Sequence, residues 1–338
     1  MPLFLRILRE QTAASPEDEA AALMGLRAYQ EARRSGERRL ARVAYRRGRA
    51  RLRRYGTGKG RPVVFVPSLI NPPHILDLTN AQSLLRWIAA QHFNAFLVDW
   101  GSPDVGERDL DIGGHVEQLL LPLLDRLPEP PVIVGYCLGG TIAAAAAAAR
   151  PVAGLATIAA PWRFDGFGPH AKAEIAALWG AAKPLCDAMG LVPMEVLQSG
   201  FWRLDPVRTI AKYARFAGMP RTSAAARQFI ALEDWANAGA PLTFAAGRQL
   251  FEEFVANDLP GKSQWSVAGR LVDPLAIGCP SVDFVSLSDR IVPAATASGM
   301  ADQRDLSAGH VGMIVGSKAK AQLWTPLADW LSGIPGTR

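Results

Sequence analysis

Cysteine and histidine are scarce in this sequence. Its three cysteines, Cys137, Cys186 and Cys279, cannot make a full set of disulfides, so a reducing, cytoplasmic setting is the simplest expectation. No uninterrupted apolar run reaches the roughly 18–20 residues that a membrane-spanning helix requires, so no transmembrane segment is expected. The opening stretch, MPLFLRILREQTAASPEDEA, is broken by Arg6 and Arg9 and lacks the long apolar core of a secretory signal. Charged residues make up 20% of the 338 positions and hydrophobic residues 49%, a balance outside the disordered class. No internal repeat is visible. No metal site and no resident cofactor are expected.

Charge is present but uneven. The net charge is +6, yet Arg27 to Arg61 holds 14 Lys and Arg against only Glu31 and Glu37, so this stretch carries +12 and the remainder about −6. Residues 1–55 read as a basic helical arm, with Leu26, Leu40, Val43 and Leu52 forming a thin apolar stripe among arginines. A solvated helix packed along the domain is the plain reading, an anionic surface or the phosphates of a cofactor the alternative. Nucleic acid is not expected as a partner.

Beyond the arm, strand-like and helix-like segments alternate. RPVVFVPSL (Arg61–Leu69), NAFLVDWG (Asn94–Gly101), PPVIVGYC and VAGLATIAAP (Val152–Pro161) read as strands. TNAQSLLRWIAAQHF (Thr79–Phe93) reads as a helix with Thr79 as its N-cap, and GGTIAAAAAAAR as a helix whose small side chains let it lie close on a sheet. Strands that are continuous apolar runs imply a mostly parallel sheet with helices on both faces, an α/β class. The alternation stops after Trp162. The expected division is a core of residues 56–161 and 271–338, resuming with the strand PSVDFVSLSD, interrupted by a helical cap over residues 162–270.

GYCLG, Gly135 to Gly139, lies at a strand-to-helix junction and fits a nucleophile elbow: a bend so sharp that only small neighbours fit, hence Gly135 and Gly139. The bend lifts Cys137 off the sheet. It also aims the Leu138 N–H at the site as an oxyanion donor, and the helix N-terminus favours a thiolate. The remaining members of such a site follow in the order acid, then base. Asp289 in VSLSDRIVP and His310 in DLSAGHVGMIVG satisfy that order; His74, His92, His115 and His170 fit it poorly. The second oxyanion donor is expected near Ser68 or Leu69, in the stiff, proline-rich loop PSLINPPHILDL.

These segments together resemble the polyhydroxyalkanoate synthases, the polyester polymerases, of the short subunit type. GYCLGGT, VPSLINPPHILDL, LVDWGSPD, LEDWANAGAPL, LSDRIVP and AGHVGMIVGSKA match in order across roughly residues 60–330. The resemblance implies an α/β-hydrolase fold with a helical cap and a triad of Cys137, Asp289 and His310. It implies a 3-hydroxyacyl-CoA thioester as substrate and a growing polyester chain as the second partner, a helper subunit or a homodimer, and work in the cytoplasm at a polyester granule surface. The Arg-rich arm and most of the cap do not match, and the long N-terminal domain of the larger synthases has no counterpart. From the elbow alone two other readings stay open: a thiol-dependent thioesterase or intracellular depolymerase, and a non-catalytic protein that coats granules.

Overall fold

The computed structural model describes residues 2–34, 40–57, 59–204 and 206–336. The chain forms two compact units, one of Leu40–Met194 with Gly239–Arg338, the other of Met1–Arg39 with Glu195–Ala238.

The larger unit is built on an eight-stranded sheet: β1 (Val43–Arg47), β2 (Ala50–Arg54), β3 (Pro62–Val66), β4 (Asn94–Asp99), β5 (Val132–Tyr136), β6 (Gly154–Ile158), β7 (Ser281–Ser286) and β8 (Gln303–Leu306). Their spatial order is β1-β2-β4-β3-β5-β6-β7-β8. Strands β4 to β8 and β3 pair in parallel, and β1 and β2 add an antiparallel edge. Strands β3 to β6 are buried at every position, as parallel strands covered on both faces should be. The helix Leu138–Ala149 packs on β5 and β6 with Ala143 to Ala146 fully buried, so its alanines do serve close approach to the sheet.

The arm is not one helix. Residues 43–54 form the β1–β2 hairpin, where Arg47 faces Ala50 across a turn with Gly48 at φ +52°. The governing pattern here has period two. Ala50 and Leu52 point into the core, while Arg51 and Arg53 alternate outward and both reach the Asp99 carboxylate on β4, at 3.4 and 2.9 Å. Thr79 is likewise not a helix cap; it closes a turn with Gln82, and the helix runs Leu84–Ala90 with Ser83 as its N-cap. Strand β8 was not visible as a strand, since QRDL is short, polar and exposed at its start.

The smaller unit joins the helices Pro2–Thr12 and Pro16–Gln30 to three from the expected cap, Met194–Leu204, Pro206–Ala217 and Ala224–Asn237. The expected single cap of residues 162–270 is therefore divided: 195–238 cluster with the N-terminal helices, the rest with the sheet. The smaller unit has its own core of Phe4, Ile7, Leu8, Ala22, Leu26, Ile210 and Tyr213. Two of its helices nearly touch backbone to backbone, since a Cβ on Gly25 would lie 1.8 Å from the Tyr213 carbonyl oxygen. No helix among the described residues is long and apolar enough to cross a membrane.

Candidate active site

The elbow is built as its glycines require. Strand β5 ends at Tyr136, Cys137 takes φ +57° and ψ −135°, and the helix begins at Leu138. That left-handed backbone is costly for a residue with a Cβ, and the surroundings hold it in place. The Cys137 N–H donates to the Ile158 carbonyl at 2.9 Å, and the Cys137 carbonyl accepts from the Gly140 N–H at 2.7 Å. A Cβ on Gly135 would sit 2.4 Å from Gly140 Cα, one on Gly139 2.1 Å from the Val66 carbonyl oxygen, and one on Gly140 2.3 Å from Ala160 Cβ. Gly140 is thus a third obligatory glycine of the bend.

Strand pairing brings the acid and the base together. Ser286 lies beside Leu306 in the parallel β7–β8 ladder, so the loops that follow both strands emerge side by side. They are tied by Ser286 Oγ donating to the Ala308 carbonyl at 2.6 Å and by the Leu287 N–H donating to the Leu306 carbonyl at 2.9 Å. Asp289 Oδ1 accepts the N–H groups of Ile291 and Val292, at 2.7 and 3.0 Å, which fixes the carboxylate. Its Oδ2 lies 2.6 Å from His310 Nδ1. With Nδ1–H donating to Asp289, Nε2 is the ring nitrogen left to exchange a proton. Asp289 and His310 are 7% and 8% exposed, whereas Cys137 is half-buried and can be reached. Burial favours the neutral ring of His310. The electrostatic influence of Cys137 and the hydrogen bond to Asp289 outweigh it, and the imidazole pKa rises from 6.5 to about 10.

One neighbour was not foreseen. The Tyr136 ring stacks on the His310 ring with centroids 5.1 Å apart and planes at 29°, and its hydroxyl donates to the His310 carbonyl at 3.2 Å. Tyr136 is the variable position of the elbow motif, so the pattern alone gave it no role. The segment expected to carry the second oxyanion donor does run along the elbow. Val66 and Pro67 meet Gly139, and the Trp100 indole N–H holds the Pro67 carbonyl at 3.0 Å. Of the two residues singled out there, Ser68 uses its hydroxyl to accept the Ile70 N–H at 3.1 Å, and Leu69 is 8% exposed. Leu138 opens the helix, where the first N–H groups have no intrahelical acceptor. Two further polar residues of that loop have structural surroundings: Asp77 is fully buried and takes Arg86 in two bonds, at 2.8 and 3.1 Å, and His74 lies in the turn Pro73–Asp77. Among the described residues no group of three or more His, Cys, Asp or Glu is placed to hold a metal ion.

No family model matches the chain. Curated relatives do. The chain is 27% identical over 315 residues to a poly(3-hydroxyalkanoate) polymerase subunit PhaC of Haloferax mediterranei, covering 86% of this chain and 63% of that one. It is 27% identical to the same subunit of Haloarcula marismortui, covering 80% and 60%. To that of Synechocystis it is 26% identical, covering 80% and 77%. The chain thus spans less than two thirds of the two haloarchaeal relatives. Among solved structures, an epoxide hydrolase of Bacillus megaterium superposes with a TM-score of 0.55 at 15% identity, over 87% of this chain and all of that one. A monoacylglycerol lipase of Paleococcus ferrophilus gives 0.50 at 14% identity, over 82% and 96%. The sheet order, the elbow and these likenesses give the chain the α/β-hydrolase fold, and by sequence it is similar to the poly(3-hydroxyalkanoate) polymerase subunits.

Proposed function

We propose that the chain is a polyester polymerase that passes 3-hydroxyacyl groups from CoA thioesters through Cys137 to a growing polyhydroxyalkanoate chain. The observation that supports this reading is a cysteine at the glycine-lined elbow, together with an imidazole that a carboxylate orients, in a chain similar to such polymerases. The cysteine makes chemical sense. Attack by its thiolate on an acyl-CoA exchanges one thioester for another, a nearly balanced step that keeps the acyl group activated; a serine ester would hold it in a less reactive form.

The steps follow from the proton inventory. His310 takes the Cys137 proton, and the thiolate attacks the acyl carbonyl. The oxyanion is held by the Leu138 N–H, with a second N–H from Ser68 or Leu69. The carbonyl re-forms, the C–S bond to CoA breaks, and the CoA sulfur takes the proton from His310. His310 then removes the proton from the 3-hydroxyl of another acyl group. That oxygen attacks the acyl-enzyme, an ester forms, and the sulfur that departs regains its proton. Asp289 keeps the imidazole oriented and stabilises its charged form. Water reaching the acyl-enzyme would end growth, so a helical cover is part of this reading. A helper subunit or second copy, and docking at a granule surface, belong to it as well.

The test is direct. Purified protein given 3-hydroxybutyryl-CoA should release CoA and accumulate ester-linked polymer, and Cys137→Ala should lower CoA release by at least about a thousandfold. CoA release with free 3-hydroxybutyrate and no polymer would favour the thioesterase reading. Granule association that survives in an inert wild-type protein would favour the scaffold reading.

A further inference from the structure

The smaller unit contains a cavity of about 240 Å³ that the reaction above does not use. Each of its five helices contributes. Phe4 and Leu26 supply an apolar wall, Tyr29 and Tyr213 two phenols, and Gln30, Gln198 and Asn237 three side-chain amides. An apolar hollow between helices with a few converging polar groups is the general form of a small-molecule site.

The hydrogen bonds around it define what fits. Tyr29 donates its proton to Asp234 at 2.7 Å, and Tyr213 donates to Glu233 at 2.8 Å. Both phenol oxygens therefore present lone pairs rather than protons. The two carboxylates are themselves neutralised, Asp234 by Arg34 at 3.1 Å and Glu233 by Lys212 at 2.7 Å. Gln198 spends its NH₂ on the Ala236 carbonyl at 3.1 Å, which leaves its carbonyl oxygen as an acceptor without a partner among the described residues. Gln30 has no side-chain partner among the described residues, so its NH₂ is available as a donor, and the Asn237 NH₂ is held only at 3.5 Å from the Tyr29 oxygen. The lining thus offers the two phenol oxygens and the Gln198 carbonyl as acceptors, the Gln30 and Asn237 amides as donors, an apolar wall and no net charge.

We propose that this cavity binds a neutral amphiphile whose apolar body carries a hydroxyl, of the chemical class of a short 3-hydroxyalkanoate ester. The hydroxyl donates to a phenol oxygen or to the Gln198 carbonyl, an ester carbonyl accepts from Gln30 or Asn237, and the alkyl body lies on Phe4 and Leu26. The requirement for a neutral, hydroxyl-bearing apolar ligand rests on the cavity alone; the choice of a hydroxy ester rests also on the polymerase reading.

The experiment titrates full-length Cys137→Ala protein, which cannot turn over, with methyl 3-hydroxyoctanoate, methyl octanoate and 3-hydroxyoctanoate by calorimetry. The hydroxy ester should bind, and the two probes that lack the hydroxyl or add a charge should bind at least about fivefold more weakly, the worth of roughly one hydrogen bond. Gln198→Leu in the same background should weaken the hydroxy ester by a similar factor. Leu26→Trp, which fills the cavity, should abolish binding. If circular dichroism shows that either variant has lost its helices, Asn237→Ala, at the exposed rim, is read in its place. Equal binding of all three probes, no binding, or indifference to these substitutions would overturn the proposal. Because nothing is turned over, this outcome is independent of whether the wild-type protein makes polymer.

Discussion

Tyr136 shows how a single side chain can brace a neighbour in the candidate site. Its ring covers one face of His310 and its hydroxyl holds the backbone of the same residue. Tyr136→Phe keeps the stack and removes the hydrogen bond, worth about 1 kcal/mol. It should lower kcat roughly fivefold with KM little changed, and Tyr136→Ala should cost more; steady-state kinetics with 3-hydroxybutyryl-CoA checks both. His310 gives a pH prediction. Its folded-state pKa is raised from 6.5 to about 10, so the protonated ring stabilises the native state fully below pH 6.5, and this contribution is lost as pH rises through about 10. The difference in urea stability between wild type and His310→Gln should therefore shrink between pH 6.5 and 10. A difference that stays flat over that range would mean the folded protein does not favour the charged ring.

At the scale of elements, the Arg-rich hairpin and the N-terminal helices are where sequence and structure part. The hairpin residues carry enough arginine to look like a solvated helix. The deciding interactions are remote: β2 pairs with β4, Arg51 and Arg53 converge on Asp99, and Ala50 and Leu52 are buried. No local window contains that partner strand. The helix Pro16–Gln30 has good local signals: Ser15 caps it and Glu17, Asp18 and Glu19 occupy its first turn. What it packs on lies some 190 residues further along the chain. Gly25 is the closest point of that contact. Gly25→Ala forces the helices apart, at a cost of about 1–3 kcal/mol or more. Hydrogen exchange should then show lost protection in Pro16–Gln30 and Pro206–Ala217, with β3 to β6 unchanged.

At the scale of the whole molecule, the +12 of residues 27–61 is partly answered within the chain. Arg27 pairs with Glu31, Arg34 with Asp234, Arg49 with Glu107, and Arg51 and Arg53 with Asp99, while Arg42, Arg46 and Arg47 stay exposed. Arg49 also clamps the hairpin to the sheet, donating to the Trp100 carbonyl and to His115 Nε2, each at 2.6 Å. His115 is 2% exposed and gives its Nδ1 proton to the Asp111 carbonyl. Burial, with Arg49 alongside, lowers its pKa from 6.5 to about 4, although the Asp111 bond opposes the shift. The unfolded chain then binds a proton near pH 6.5 that the native state refuses until about pH 4. Stability is full above pH 6.5 and falls through that window, by about 3 kcal/mol in total. Urea unfolding at pH 7 and pH 4 should show this loss in wild type and much less of it in His115→Gln.

The elbow, the order of Cys137, Asp289 and His310, and the parallel core were written in the sequence. Each rests on short-range constraints: glycines that only a tight bend needs, apolar runs that only a covered strand tolerates, and loops that begin where strands end. The tertiary structure alone decided the rest. It moved residues 43–54 from a helix to a sheet edge, divided the expected cap, set Tyr136 against the imidazole and assembled a cavity from the N-terminal helices and helices within the long insertion. Those outcomes depend on which distant surfaces meet, and a charge or an apolar side chain carries no label for the partner that will cover it.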